Sequence, residues 1–162
     1  VSTKASNLTN ATIANYAERV GQVYEVYDED GRADLDALLK KLGGTVEYES
    51  DGESLHVDKV GRFTVFIPRF TSQRRDRFTI AHELGHYFLH YVVAKEAASK
   101  AFARGGRNRA ETEANVFASA LLMPANEFRR AFHEFGGDAW ALAERFEVSP
   151  AAAEVRAQVL GL

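Results

Sequence analysis

The chain contains no cysteine. That excludes a disulfide framework and any thiolate-held zinc site, and it fits a reducing compartment. No apolar run approaches the roughly 18–20 residues of a membrane span, and Val1 to Asn10 lacks the apolar core of a signal peptide. A cytoplasmic protein without a membrane partner is the expectation. There is no initiator methionine, which points to a processed or trimmed start. An excess of one charge sign is also lacking. A net charge of −3 gives no general attraction to nucleic acid or to a membrane surface. What remains is an ordinary globular composition, 46% apolar and 27% charged over 162 residues, enough to bury one core without cross-links.

Periodicity divides the chain into helices, a short sheet, and helices again. Ile13, Tyr16, Ala17, Val20, Tyr24 and Tyr27 fall on one helical stripe that ends at Asp28-Glu29-Asp30-Gly31. Leu35, Leu38, Leu39 and Leu42 form a second stripe, stopped by Gly43-Gly44. From Thr45 the period drops to two, through Val46 and Tyr48, Leu55 and Val57, then Phe63, Val65 and Ile67, with Asp51-Gly52 and Gly61 as turns. This predicts an antiparallel meander closed by Pro68. Thr71 or Ser72 caps a helix over about Gln73 to Tyr91. Val92 to Arg109 reads as an Ala/Lys stretch with helical leaning, followed by a basic loop at Gly105-Gly106. Four helices follow: Ala110–Met123, Asn126–Phe135, Asp138–Phe146 and Pro150–Leu160, the last with Ser149 as its cap.

The chemistry concentrates in His82-Glu83-Leu84-Gly85-His86. A four-residue step on a helix turns about 400°, so the two imidazoles stand about 40° apart on successive turns and can share one ion. Glu83 lies beside that ion, placed to take a proton from water and pass it to a leaving amine. A catalytic site of this type needs a third protein ligand and an open position. Ala110 to Met123 offers Glu111 and Glu113. Glu111 shares a helix face with Asn115 and Ala118, which leaves room for a metal, whereas Glu113 shares its face with Phe117, Ala120 and Leu121. Glu111 is therefore the expected ligand and Glu113 the alternative. Asn115, one turn on, suits a hydrogen bond to the far nitrogen of a ligand histidine. Two histidines and a carboxylate accept zinc, and also iron, manganese or cobalt.

Arg77-Phe78-Thr79-Ile80-Ala81-His82-Glu83-Leu84-Gly85-His86, with Glu111-x-x-Ala-Asn115-x-Phe-Ala-x-x-Leu-Leu-Met-Pro124, resembles the ImmA/IrrE family of gluzincin-type metallopeptidases. The resemblance extends over roughly Leu35 to Gly161 and is nearest the minimal ImmA-like form, without a further C-terminal sensor domain. It implies Zn2+ held by His82, His86 and Glu111, with Glu83 as general base; Glu113 falls on a variable position. It also implies a cytosolic bacterial or phage protease whose protein substrate is a helix-turn-helix transcriptional repressor. The expected fold is α+β: a small antiparallel sheet with a zincin-like active-site helix, followed by an α-helical C-terminal part. Residues 1–135 would form the metallopeptidase domain with its N-terminal packing helices, and 136–162 a helix-turn-helix-like pair packed on it.

The other histidines carry less. His90 lies about 80° off the face of His82 and reads as a packing or rim residue, and His56 as a surface residue. A donor for the oxyanion of the tetrahedral intermediate is expected. Tyr87, His90, His133 and an arginine of the 104–109 loop all qualify. The strand Arg62–Ile67, just before the active-site helix, is either an ordinary core strand or an edge that pairs with extended substrate. The last helix has one basic residue, Arg156, against Glu154, so packing or protein docking is favoured over DNA contact. A competing reading is a non-proteolytic regulator that occludes a repressor; an intact Glu83 speaks for catalysis.

Overall fold

A computed structural model describes residues 3–49 and 51–162; Val1 and Ser2 of the polar N-terminal stretch lie outside them. Helix α1 (Asn10–Val23) starts where the Thr9 hydroxyl accepts from the Thr12 amide, and it buries Ile13, Ala17 and Val20. It is shorter than the aromatic stripe predicts. Glu25 turns the chain at φ 54°, and the Tyr27 ring folds back over Gly21, where a Cβ would overlap it. The Tyr27 hydroxyl donates to the Leu121 carbonyl at 2.6 Å. Helix α2 (Leu35–Leu42) is capped by Asp34 and ends at Gly43, whose φ of 86° few other residues adopt. All four of its leucines are buried.

The sheet is mixed, and this corrects the meander expected from the sequence. Strands β1 (Gly44–Tyr48), β2 (Glu53–Lys59), β3 (Arg62–Ile67) and β4 (Lys100–Ala103) lie in the order β1-β3-β2-β4. β3 is inserted beside β2 and runs parallel to β1, with Val46 opposite Val65. Burial explains the order. β3 and β2 supply Phe63, Val65, Leu55 and Val57 to the core, while β1 leaves Val46 and Tyr48 exposed and takes an edge. β4 occupies the stretch read as helix or loop. Its Lys-Ala-Phe-Ala sequence has little intrinsic strand preference, so pairing with β2 and burial of Phe102 decide its state.

Helix α3 (Gln73–Tyr87) begins at Ser72, whose hydroxyl accepts from the Arg75 amide, and continues into a π-helical turn over Phe88–Val92. Helix α4 (Arg109–Leu122) packs between α3 and α1. Its Phe117, Ala118, Leu121 and Leu122 are fully buried; a phenylalanine so placed stabilises by roughly 1.5–3 kcal/mol. Helices α5 (Ala125–Glu134), α6 (Ala139–Phe146) and α7 (Pro150–Val159) complete the chain. Phe128, Leu142, Phe146, Val148 and Ala153 join the same core cluster as the sheet. Arg156 is only 3% exposed, and its Nε donates to the Met123 carbonyl at 2.9 Å. Burial takes it out of reach of a phosphate backbone.

Candidate metal centre

Two helices make the site. α3 supplies His82, Glu83 and His86 from successive turns, and α4 supplies Glu111 from its first turn, just after the Asn108 cap. The side-chain donor atoms of His82, His86 and Glu111, which could hold a metal ion, all lie within 4.8 Å of one another. Glu111 Oε2 is 3.5 Å from His82 Nε2 and in contact with His86 Nε2. The two helices come this close because Gly85 faces the α4 backbone without a side chain.

Hydrogen bonds on the far side of each ring determine which nitrogen is free. His82 Nδ1 is 2.8 Å from Asn115 Oδ1, an acceptor, so that nitrogen carries the proton and Nε2 is bare. His86 Nδ1 is 2.9 Å from His90 Nδ1, and His90 Nε2 is 2.8 Å from Glu113 Oε1. The carboxylate accepts, so His90 donates through Nε2 and accepts through Nδ1. His86 therefore also presents a bare Nε2. Burial lowers the pKa of His90, which suits a neutral ring, while His90 and the Ser6 amide outweigh burial and hold Glu113 low.

Two lone-pair nitrogens thus converge on Glu111 Oε2, a buried oxygen with no hydrogen-bond partner among the described residues. Burial raises the pKa of Glu111, but imidazoles of His82 and His86 that carry a proton toward it outweigh burial and pull it down to about 2; with both Nε2 atoms bare, a cation takes the place of those protons. For His82, burial acts downward, and Glu111 and Glu83 outweigh it and raise the pKa. An orphaned anionic oxygen facing two imidazole nitrogens fits a divalent cation, and the N2O donor set suits zinc.

Glu83 is 2% exposed and sits beside this cluster. The Ser54 hydroxyl, on β2, lies 3.1 Å from both Glu83 Oε1 and the Phe102 carbonyl, and its one proton serves either. One guanidinium nitrogen of Arg104 is 4.0 Å from Glu83 Oε2. Burial raises the pKa of Glu83, opposed by His82, His86, Arg104 and Ser54. Phe102 of β4 stacks on the His86 ring with centroids 5.6 Å apart.

The remaining sequence candidates separate cleanly. Tyr87 is buried against Phe63, and its hydroxyl accepts from the Gly61 amide at 3.0 Å. His133 is exposed on α5, edge-on to Phe132. His56 bridges Glu53 and Asp58 near the surface. Glu113 is fully buried and engaged by Ser6, Asn7 and His90 rather than by the two histidines of the cluster. His90 is not a rim residue; at 2% exposure it lies between His86 and Glu113. Its i,i+4 spacing from His86 was a usable signal. Ser54 had none, because 29 residues separate it from Glu83. β3 is paired on both sides and has no free edge for substrate, whereas β4 is the sheet edge nearest His86.

The family model described as IrrE N-terminal-like domain (Peptidase_M78) matches residues 40–158, a span that includes α3, the whole sheet and α4. No curated protein matches the chain.

Proposed function

Since the chain belongs to the peptidase family of the IrrE N-terminal-like domain, we propose that it is a zinc-dependent endopeptidase that cuts a helix-turn-helix transcriptional repressor at one or a few sites. The observation that carries the catalytic part is the convergence of His82 Nε2, His86 Nε2 and the unpartnered Glu111 Oε2 beside a buried Glu83. Zinc held by His82, His86 and Glu111 supplies a Lewis acid that polarises a carbonyl and makes water acidic.

Glu83 is the general base. It accepts a proton from the attacking water as the oxygen–carbon bond forms, then delivers that proton to the amide nitrogen as the carbon–nitrogen bond breaks. Burial makes its carboxylate a better proton acceptor than an exposed glutamate, and Ser54 holds one oxygen in place. Arg104 anchors its side chain on the Glu49 carboxylate at 3.1 Å and on the Phe66 carbonyl. Its remaining nitrogen, the one toward Glu83, is available to negative charge developing on the scissile carbonyl oxygen. Asn115 keeps the His82 ring oriented.

Substrate binds as an added strand on the free edge of β4. Backbone pairing there supplies affinity with little sequence preference, and it requires an extended segment. A folded repressor offers such segments only in linkers and frayed helix ends, which limits the number of cuts. The repressor as partner rests on the family resemblance of the two sequence blocks, and the bacterial cytoplasm as its setting rests there too. Among the described residues no helix is long and apolar enough to cross a membrane. Mass spectrometry of a repressor encoded beside the gene, incubated with zinc-loaded protein, tests the reading. One or two discrete fragments, absent with chelator and with Glu83→Gln, are expected. Repressor inactivation without cleavage would favour the occluding regulator, and general digestion of casein would remove the specificity.

A further inference from the structure

Resting on the metal reading above, we propose that His90 and Glu113 are positioning residues for His86, forming with the amides of Ser6 and Asn7 a hydrogen-bonded line through which the N-terminal segment sets metal affinity. The line runs Ser6 N and Asn7 N to Glu113 at 2.9 and 3.0 Å, Glu113 Oε1 to His90 Nε2 at 2.8 Å, and His90 Nδ1 to His86 Nδ1 at 2.9 Å. Arg109 Nε lies 3.5 Å from the second Glu113 oxygen.

Packing alone does not account for these groups. His90 and Glu113 are almost sealed from solvent, and a buried carboxylate is costly unless several donors meet it. Here two of the donors, the Ser6 and Asn7 amides, come from a segment more than a hundred positions away in sequence. An apolar pair would fill the same space with no such requirement. The arrangement does have a chemical consequence. Every proton in the line points toward Glu113, those of His86 and His90 from one side and those of the Ser6 and Asn7 amides from the other, so the carboxylate draws on the His86 Nδ1 proton through His90. That fixes the plane of the His86 ring and enriches its Nε2 as a donor. Among the described residues, His82 has only the neutral Asn115 amide behind it. The two ligand histidines are therefore unequally supported, and His86 is the one tied to the N-terminal segment. The π-helical turn Phe88–Val92, in which the Val93 amide bonds to the Phe88 carbonyl at 2.8 Å, carries His90 within this line.

Zinc affinity of the full chain, measured by competition with a chromophoric chelator, tests the proposal, with the melting temperature of each metal-free variant followed alongside. His90→Leu and Glu113→Gln are expected to raise the zinc Kd about 10–100-fold. His90→Gln keeps an acceptor and a donor about as far apart as the two imidazole nitrogens, and should stay within about threefold of the parent. Ser6→Pro deletes one amide donor and should weaken zinc by a smaller factor. If His90→Leu fails to fold, Glu113→Gln carries the test at nearly unchanged volume. A parent-like Kd in both His90→Leu and Glu113→Gln, whatever their melting temperatures, overturns the line. An unchanged Kd in Ser6→Pro overturns its reach to the N-terminal segment. A parent that takes up no zinc overturns the metal reading and this inference with it, an outcome distinct from equal binding by parent and variants.

Discussion

Gly85 of α3 meets the backbone of Ala114 on α4: a Cβ at Gly85 would lie 3.0 Å from both the Cα and the carbonyl oxygen of Ala114. The contact is backbone against backbone, so no flexible side chain can move aside. It sets the separation of the helix that carries both histidines from the helix that carries Glu111. Gly85→Ala should therefore cost about 1–3 kcal/mol of stability by overpacking, and should also weaken metal binding by moving Glu111 outward. Chemical denaturation and zinc titration of the same variant check both effects. Loss of stability with unchanged zinc affinity would show that the centre tolerates a wider spacing.

The two carboxylates of α4 have different partners, and their variants should differ. Glu111→Gln is expected to abolish stoichiometric zinc uptake, because the amide oxygen carries no charge to offset the cation. Glu113→Gln should still fill with one zinc at millimolar metal while showing the weaker Kd given above. Elemental analysis after gel filtration distinguishes them. The opposite pattern would make Glu113 the ligand.

Glu83→Gln separates chemistry from folding. Glu83 touches no ligand atom of the cluster through a hydrogen bond and is held by Ser54. The variant should keep its zinc and its melting temperature and lose peptide cleavage by several powers of ten, as expected when base and metal act in one step. Cleavage within about tenfold of the parent rate would place the base elsewhere.

Arg104→Met should lower kcat about 10²–10³-fold with little change in KM if the guanidinium acts on the developing oxyanion. Zinc content should be unaffected. Glu49→Gln, which removes one anchor and leaves the charge, should lose far less. An increase in KM alone would assign Arg104 to substrate binding rather than to the chemical step.

Sequence periodicity carried the local part of this structure. The caps at Ser72 and Ser149, the stop at Gly43 and the pairing of two histidines one turn apart are all relations within a few residues. A 3.6-residue period, with the capping preference of serine and the positive φ open to glycine, states them directly. The same period put Glu111 and Asn115 on one face of α4, where the structure has both toward the histidines. Relations across the chain had no such signature. Nothing in Arg62–Ile67 says that it inserts beside β2 and parallel to β1, since alternation specifies a face and not a neighbour. β4 is four residues of weak strand preference that become a strand only where β2 offers hydrogen bonds. Ser54 on Glu83, Arg104 beside it, and Glu113 joined to Ser6 are contacts between elements remote in sequence. Their identity depends on how the helices pack over the sheet, because hydrogen bonds act over about 3 Å in space and take no account of distance along the chain.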